Sequence, residues 1–185
     1  AMAFRSAATY SGEVAMRARV DGQWQPTTYR QMGDSIRRIA RALLAAGVQP
    51  GDRVGIFSEN RPEWSLVDFA VLAVGGVTVP IYATNTQSQA AYIVDETEMA
   101  VIFTGSQANY DKIRAITLRP TPLRCIVALD DNTSIDGAAS CHYSDFLKSG
   151  TDAADAEIEA RLAAAAASDL ATIIYTSGTT GEPKG

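Results

Sequence analysis

Short, continuously apolar runs alternate with stretches of helical period through most of this chain, and that alternation limits the fold more than any other feature. Arg53–Ser58, Val77–Tyr82, 100–104 and 124–129 read as strands. Between them, 62–74, 86–97 and 106–118 read as helices, the first opened by Pro62 and closed by Gly75-Gly76. Strands that are apolar throughout, and not at every second position, are buried on both faces, as in a parallel sheet. Strand–helix–strand units repeated in this way predict an α/β fold: a mostly parallel, doubly wound sheet with helices on both faces and right-handed crossovers.

A small β-hairpin is predicted ahead of the sheet. Val14–Val20 and 24–28 flank Asp21-Gly22, a strong hairpin-turn signal. Thr28-Tyr29-Arg30-Gln31 has the form of a capping box opening a helix. Met32, Ile36, Ile39 and Leu43 then form one apolar stripe, with Gly47 and Pro50 as stop signals. Beyond the main alternation, 130–140 reads as a polar loop and Tyr143–Lys148 as a helical turn. An alanine-rich helix is predicted over 152–167, followed by a final buried strand over 170–176. Ala1-Met2 reads as a leader residue before a start codon, and Ala1 is left out of fold reasoning.

Composition excludes several classes of function. The chain has 185 residues and a net charge of −5, with 46% hydrophobic residues. That is enough to build a core, and it lacks the basic balance of a nucleic-acid surface. No apolar run reaches the length of a membrane span. Cys125 and Cys141 stand sixteen apart and there is a single histidine, His142, so a closed structural zinc site cannot be assembled. Cys125 is expected to be a buried small hydrophobe. Cys141-His142 is either a thiolate pair or an exposed loop dipeptide, and the second reading is favoured. Two free thiols fit a reducing, cytoplasmic compartment. Trp64, Leu66, Val67, Phe69 and Ala70, at helical spacing, are expected in the core. Glu59 and Glu63 read as helix-start acids, and 82–85 closes a strand end.

The stretch with the most chemistry is YTSGTTGEPKG at 175–185. Its glycines allow sharp turns and close approach, so that consecutive N–H groups can converge on an anion. Thr176, Ser177, Thr179 and Thr180 add hydroxyls, and Lys184 adds a positive charge suited to phosphate. A flexible linker has a similar composition; the order of residues and the preceding apolar run favour anion binding. It is not a Walker A loop, because Lys184 follows Pro183 and Gly185 stands where a magnesium-binding hydroxyl is required.

This stretch resembles the phosphate-loop signature of the AMP-forming adenylating enzymes, which include acyl-CoA synthetases, firefly luciferase and peptide-synthetase adenylation domains. GDRV at 51–54, SENRPEW at 58–64 and GGVTVPIY at 75–82 resemble long-chain fatty acid–CoA ligases in particular. The resemblance implies that residues 1–185 are the N-terminal part of a large AMP-binding domain, ending after the phosphate loop. It implies a ligase using ATP, Mg2+ and CoA: a carboxylate attacks the α-phosphorus, and the CoA thiol then attacks the acyl-adenylate. Thr176, Ser177, Gly178, Thr179, Thr180, Gly181 and Lys184 would hold the β and γ phosphates. The loss of one such preorganised donor costs about 3–4 kcal/mol of barrier. No catalytic or metal-binding residue is placed in this chain by the resemblance, so the chain alone is expected to be inactive. Its partners would be ATP, fatty acid and CoA, with no nucleic acid. A sheet cut short would leave apolar surface exposed for self-association. Two other readings stay open: another adenylating enzyme, such as a fatty-acyl-AMP ligase or a peptide-synthetase adenylation domain, and a non-catalytic nucleotide-binding module.

Overall fold

A computed structural model describes residues 2–20, 22–177 and 183–185. It opens with a helix, α1 (Met2–Thr9), and an antiparallel hairpin of β1 (Val14–Val20) and β2 (Gln23–Thr28), with Gly22 at φ 78° in the turn. Helix α2 (Tyr29–Ala45) starts at Thr28, whose hydroxyl accepts the Gln31 N–H while the Gln31 side chain accepts the Thr28 N–H. Its buried stripe is Met32, Ile36, Ile39 and Leu43. Helix α1 buries none of its residues completely, and Ala3, Phe4 and Ala7 form its half-buried face. It rests on α2 at Gly33, where a Cβ would fall 2.7 Å from that of Ala7.

The central sheet has five strands, all parallel: β3 (Arg53–Ser58), β4 (Val77–Tyr82), β5 (Val101–Thr104), β6 (Cys125–Ala128) and β7 (Ser140–His142). Their spatial order is β4-β3-β5-β6-β7. From β3 the chain moves one way through α3 (Pro62–Ala73) to β4. It then returns across the sheet through α4 (Gln87–Thr97) to β5, and continues through α5 (Gln107–Ile116) to β6. Helices α2 and α3 pack on one face with α6 (Tyr143–Lys148) and α7 (Asp155–Ala164), and α4 and α5 on the other, giving one apolar core on each side. The doubly wound arrangement follows from this reversal, and it leaves a switch point between the carboxyl ends of β3 and β5.

Several sequence expectations are corrected. The polar loop ends one residue earlier than predicted, because Ser140–His142 pairs in parallel with the open edge of β6. Cys141 and His142 are therefore half-buried strand residues, not an exposed loop dipeptide. Cys125 is half-buried as well. The alanine-rich helix splits into a 3₁₀ turn, Asp152–Ala154, and α7, which stops at Ala164. There the Asp169 carboxylate accepts the Ala166 N–H at 2.8 Å and bends the chain away, and the alanines bury nothing that would resist. The expected buried strand at 170–176 is a mostly exposed segment. Only Thr172 bridges to Thr78 of β4, and Leu170 and Ile174 are 61% and 54% exposed. In α3, Leu66, Val67 and Ala70 are buried as expected, Trp64 is half-buried and Phe69 is exposed.

Candidate functional site

The switch point is closed by internal hydrogen bonds. Arg61, the residue before α3, donates through Nη1 to the Gly105 carbonyl at 3.1 Å and through Nη2 to the Leu129 carbonyl at 3.4 Å. Its Nε pairs with Glu63 at 2.8 Å. One guanidinium thus ties together the loops after β3, β5 and β6. Gly105 lies so close to Ser58 that a Cβ there would sit 2.1 Å from Oγ and 2.9 Å from Cα. Asn109, 1% exposed, accepts from the Ser106 hydroxyl and donates to the Ala83 carbonyl at 3.1 Å. Lys112 donates to the Asn85 carbonyl at 2.8 Å, with its ammonium 5.4 Å from the centre of the Phe57 ring. The 58–64 and 82–85 stretches therefore serve as scaffold here. Glu63 acts as a first-turn acid and partner of Arg61. Nothing in the sequence announces Arg61 as a tie, because its two carbonyl partners lie 44 and 68 positions away.

The terminal stretch runs along the outer edge of β4. Ala171 O accepts the Thr78 N–H and Ile173 N donates to Thr78 O, both at 3.0 Å. Tyr175 then turns inward. It is 6% exposed and packs edge-on against Tyr92 of α4, with ring centres 6.4 Å apart. Burial, and a hydrogen bond to Glu96, push its phenol pKa well above the usual range, so Tyr175 stays a neutral donor. Two short strands follow, β8 (Thr176–Ser177) and β9 (Pro183–Lys184), antiparallel, with Thr176 opposite Lys184 and Ser177 opposite Pro183. Strand β9 lies against α4.

Of the predicted phosphate-binding residues, Thr176 and Lys184 are thus brought side by side, both exposed. Ser177 is placed in β8 by its backbone. Gly178, Thr179, Thr180 and Gly181 lie outside the described residues. Gly185 closes over the Tyr175 ring, where a Cβ would come within 2.7 Å of Cζ. The described residues at the base of this stretch form a two-strand ladder anchored by a buried tyrosine. Its base carries a free hydroxyl and an ammonium with no ion-pair partner among the described residues. That donor set suits a polyphosphate. Among the described residues no three His, Cys, Asp or Glu side chains are grouped to hold a metal ion. No helix among them is long and apolar enough to cross a membrane.

A family model described as AMP-binding enzyme matches residues 3–185. The chain belongs to that family. Among curated relatives, the long-chain-fatty-acid–CoA ligases FadD15 of Mycobacterium bovis and Mycobacterium tuberculosis are each 39% identical over 166 residues. Those residues are 90% of this chain and 27% of each relative, so the chain spans about a quarter of their length. Among solved structures, an anthranilate CoA ligase, AuaEII, in complex with anthranoyl-AMP superposes with a TM-score of 0.77 at 21% identity. It covers 99% of this chain and 32% of the solved one, and it shows the shared fold.

Proposed function

We propose that the complete protein is an AMP-forming long-chain fatty acid–CoA ligase, converting ATP, a fatty acid and CoA to acyl-CoA, AMP and pyrophosphate through an acyl-adenylate. The observation that carries this reading is the 175–185 loop. Its residue order is that of a phosphate loop, its base pairs Thr176 with Lys184, and it stands in a chain 39% identical to proteins named for that activity. Residues 1–185 are read as the N-terminal part of the large AMP-binding domain. In this reading Thr176, Ser177, Gly178, Thr179, Thr180, Gly181 and Lys184 hold the β and γ phosphates, and Lys184 offsets charge on the departing pyrophosphate. Magnesium is assigned no ligand within 1–185. Two free cysteines fit a cytoplasmic setting.

The test is pyrophosphate release by the complete protein across short-, medium- and long-chain carboxylates, followed by AMP release on addition of CoA. Turnover that peaks with long chains and needs CoA for AMP release supports the proposal. Adenylate formation without CoA transfer would favour a fatty-acyl-AMP ligase. In the active protein, Lys184→Ala should lower kcat/KM about 100-fold, as loss of a preorganised charged donor does elsewhere. An unchanged value would remove Lys184 from the phosphate site. The 185-residue chain alone should release no pyrophosphate. Tight MgATP binding by that chain would instead favour a stand-alone nucleotide-binding module.

A further inference from the structure

Cys125 opens β6, and Cys141 is the middle residue of β7. The ladder sets Cys141 opposite Val127, so Cys125 stands on the diagonal, two residues away and on the same face of the sheet. The two Sγ atoms are 3.9 Å apart. Both thiols are free and half-buried. They open onto a groove of about 310 Å³ whose walls include Ala45 and Ala46 at the end of α2, Asp145 and Phe146 of α6, and Arg124, whose guanidinium pairs with Asp52 at 3.3 Å. Nothing in the proposed ligase reaction uses either thiol.

Adjacent thiols can close as a disulfide or share a metal. A disulfide needs sulfurs about 2.05 Å apart and Cα atoms within roughly 6.8 Å. The sulfurs stand 3.9 Å apart from diagonal positions of a parallel ladder, nearly twice a disulfide bond, so closure would require the three-residue β7 to move. A shared cation needs no such movement. At a metal–sulfur length of about 2.3 Å, a cation touching both sulfurs across 3.9 Å subtends an S–metal–S angle of about 115°. That is close to the trigonal and tetrahedral values.

We propose that Cys125 and Cys141 form a two-thiolate site for a soft divalent d10 cation of the zinc or cadmium type. Binding exchanges the two thiol protons for one metal ion and leaves both Cβ–Sγ bonds intact. Among the described residues no third side chain of the His, Cys, Asp or Glu type joins the pair. Water on the groove side therefore completes the coordination, and affinity stays below that of a four-ligand structural site. The bound ion clamps the edge strand β7, and α6 that follows it, to β6.

Cadmium added alone to the reduced protein tests this under anaerobic conditions. The expected result is a thiolate-to-cadmium charge-transfer band that saturates at one equivalent, release of two protons and a rise in Tm. Cys125→Ser and Cys141→Ser should each abolish the band. A second reading, independent of those variants, is alkylation followed by mass analysis: cadmium should protect both cysteines together in the unmodified protein. A band that survives either substitution, or cysteines that stay equally alkylated with cadmium present, would overturn the site. So would air oxidation to a Cys125–Cys141 disulfide with the native fold and Tm retained, because it would show that the diagonal closes without a metal.

Discussion

Gly105 shows how tightly single residues fix the carboxyl ends of the sheet. Its missing side chain lets the loop after β5 pass within contact of Ser58, and Arg61 holds the Gly105 carbonyl from the other side. A methyl group placed 2.9 Å from the Ser58 Cα meets backbone, and backbone cannot rotate away. Gly105→Ala should therefore destabilise the protein by about 1–3 kcal/mol, the usual cost of overpacking. Urea unfolding measures it; an unchanged midpoint would mean the loop has room that the geometry denies it. Gly185 imposes the same kind of restriction at the other candidate location, since any side chain there runs into the Tyr175 ring. The 175–185 stretch is thus seated by the absence of a Cβ at one end and by a buried phenol at the other.

At the scale of elements, α7 is held by charge more than by burial: Ile158 is its only buried residue among those described. Arg41 pairs with Asp155 at 2.7 Å and with Asp152, and Arg37 pairs with Glu159 at 2.7 Å. Arg161 donates to the Val48 and Val74 carbonyls near the ends of α2 and α3. The hydrogen bond from Arg41 holds the Asp155 carboxyl below the usual carboxylate range. A depressed carboxylate contributes stability where its unfolded counterpart is already ionised, above about pH 4, and loses it as the folded group protonates at lower pH. Asp155→Asn should accordingly lower stability at neutral pH, by about 1 kcal/mol or less. The gap to the unsubstituted protein should close as pH falls below about 4. A series of Tm values against pH checks this; a gap that widens in acid has the wrong sign for the assignment. These contacts also explain what the sequence made legible. The main strands and helices were readable because their apolar periods coincide with burial: Ile36, Ile39 and Leu43 are fully buried, as their spacing requires. Strand β7 was not readable, because Ser140–His142 carries no apolar run and exists through the edge that β6 offers. The segment 170–176 misled for the opposite reason, since its apolar run stays mostly exposed, with Ile173 and Tyr175 reaching the core beside α4. The 175–185 stretch was legible as a candidate phosphate loop in its residue types, and its seating through Tyr92, Glu96 and α4 was not.

For the molecule as a whole, the two edges of the sheet are unequal. Beyond β7 the last strand is short and backed by α6. Among the described residues, the chain beyond β4 offers the 171–173 bridge, which satisfies the Thr78 backbone and leaves the second half of the strand without a ladder partner. Large apolar side chains gather on that side: Phe69 and Leu72 of α3, Tyr82 at the end of β4, and Leu170 and Ile174 beside it, 37–63% exposed. A groove of about 510 Å³ opens between Leu72 and Leu170, lined also by Val77, Arg161 and Asp169. Exposed large apolar side chains are the kind of surface through which chains associate. Pro80 has no N–H to extend the ladder, so side-chain contact and not strand pairing is the route it favours. We propose that the 185-residue chain self-associates through this side. Sedimentation across a concentration series should show a mass that rises with concentration. The paired substitution Leu170→Lys and Ile174→Lys should return it to a monomer without loss of Tm, because both residues already face solvent. A chain that stays monomeric at the highest concentration, or an association that the two lysines leave untouched, would place the interface elsewhere.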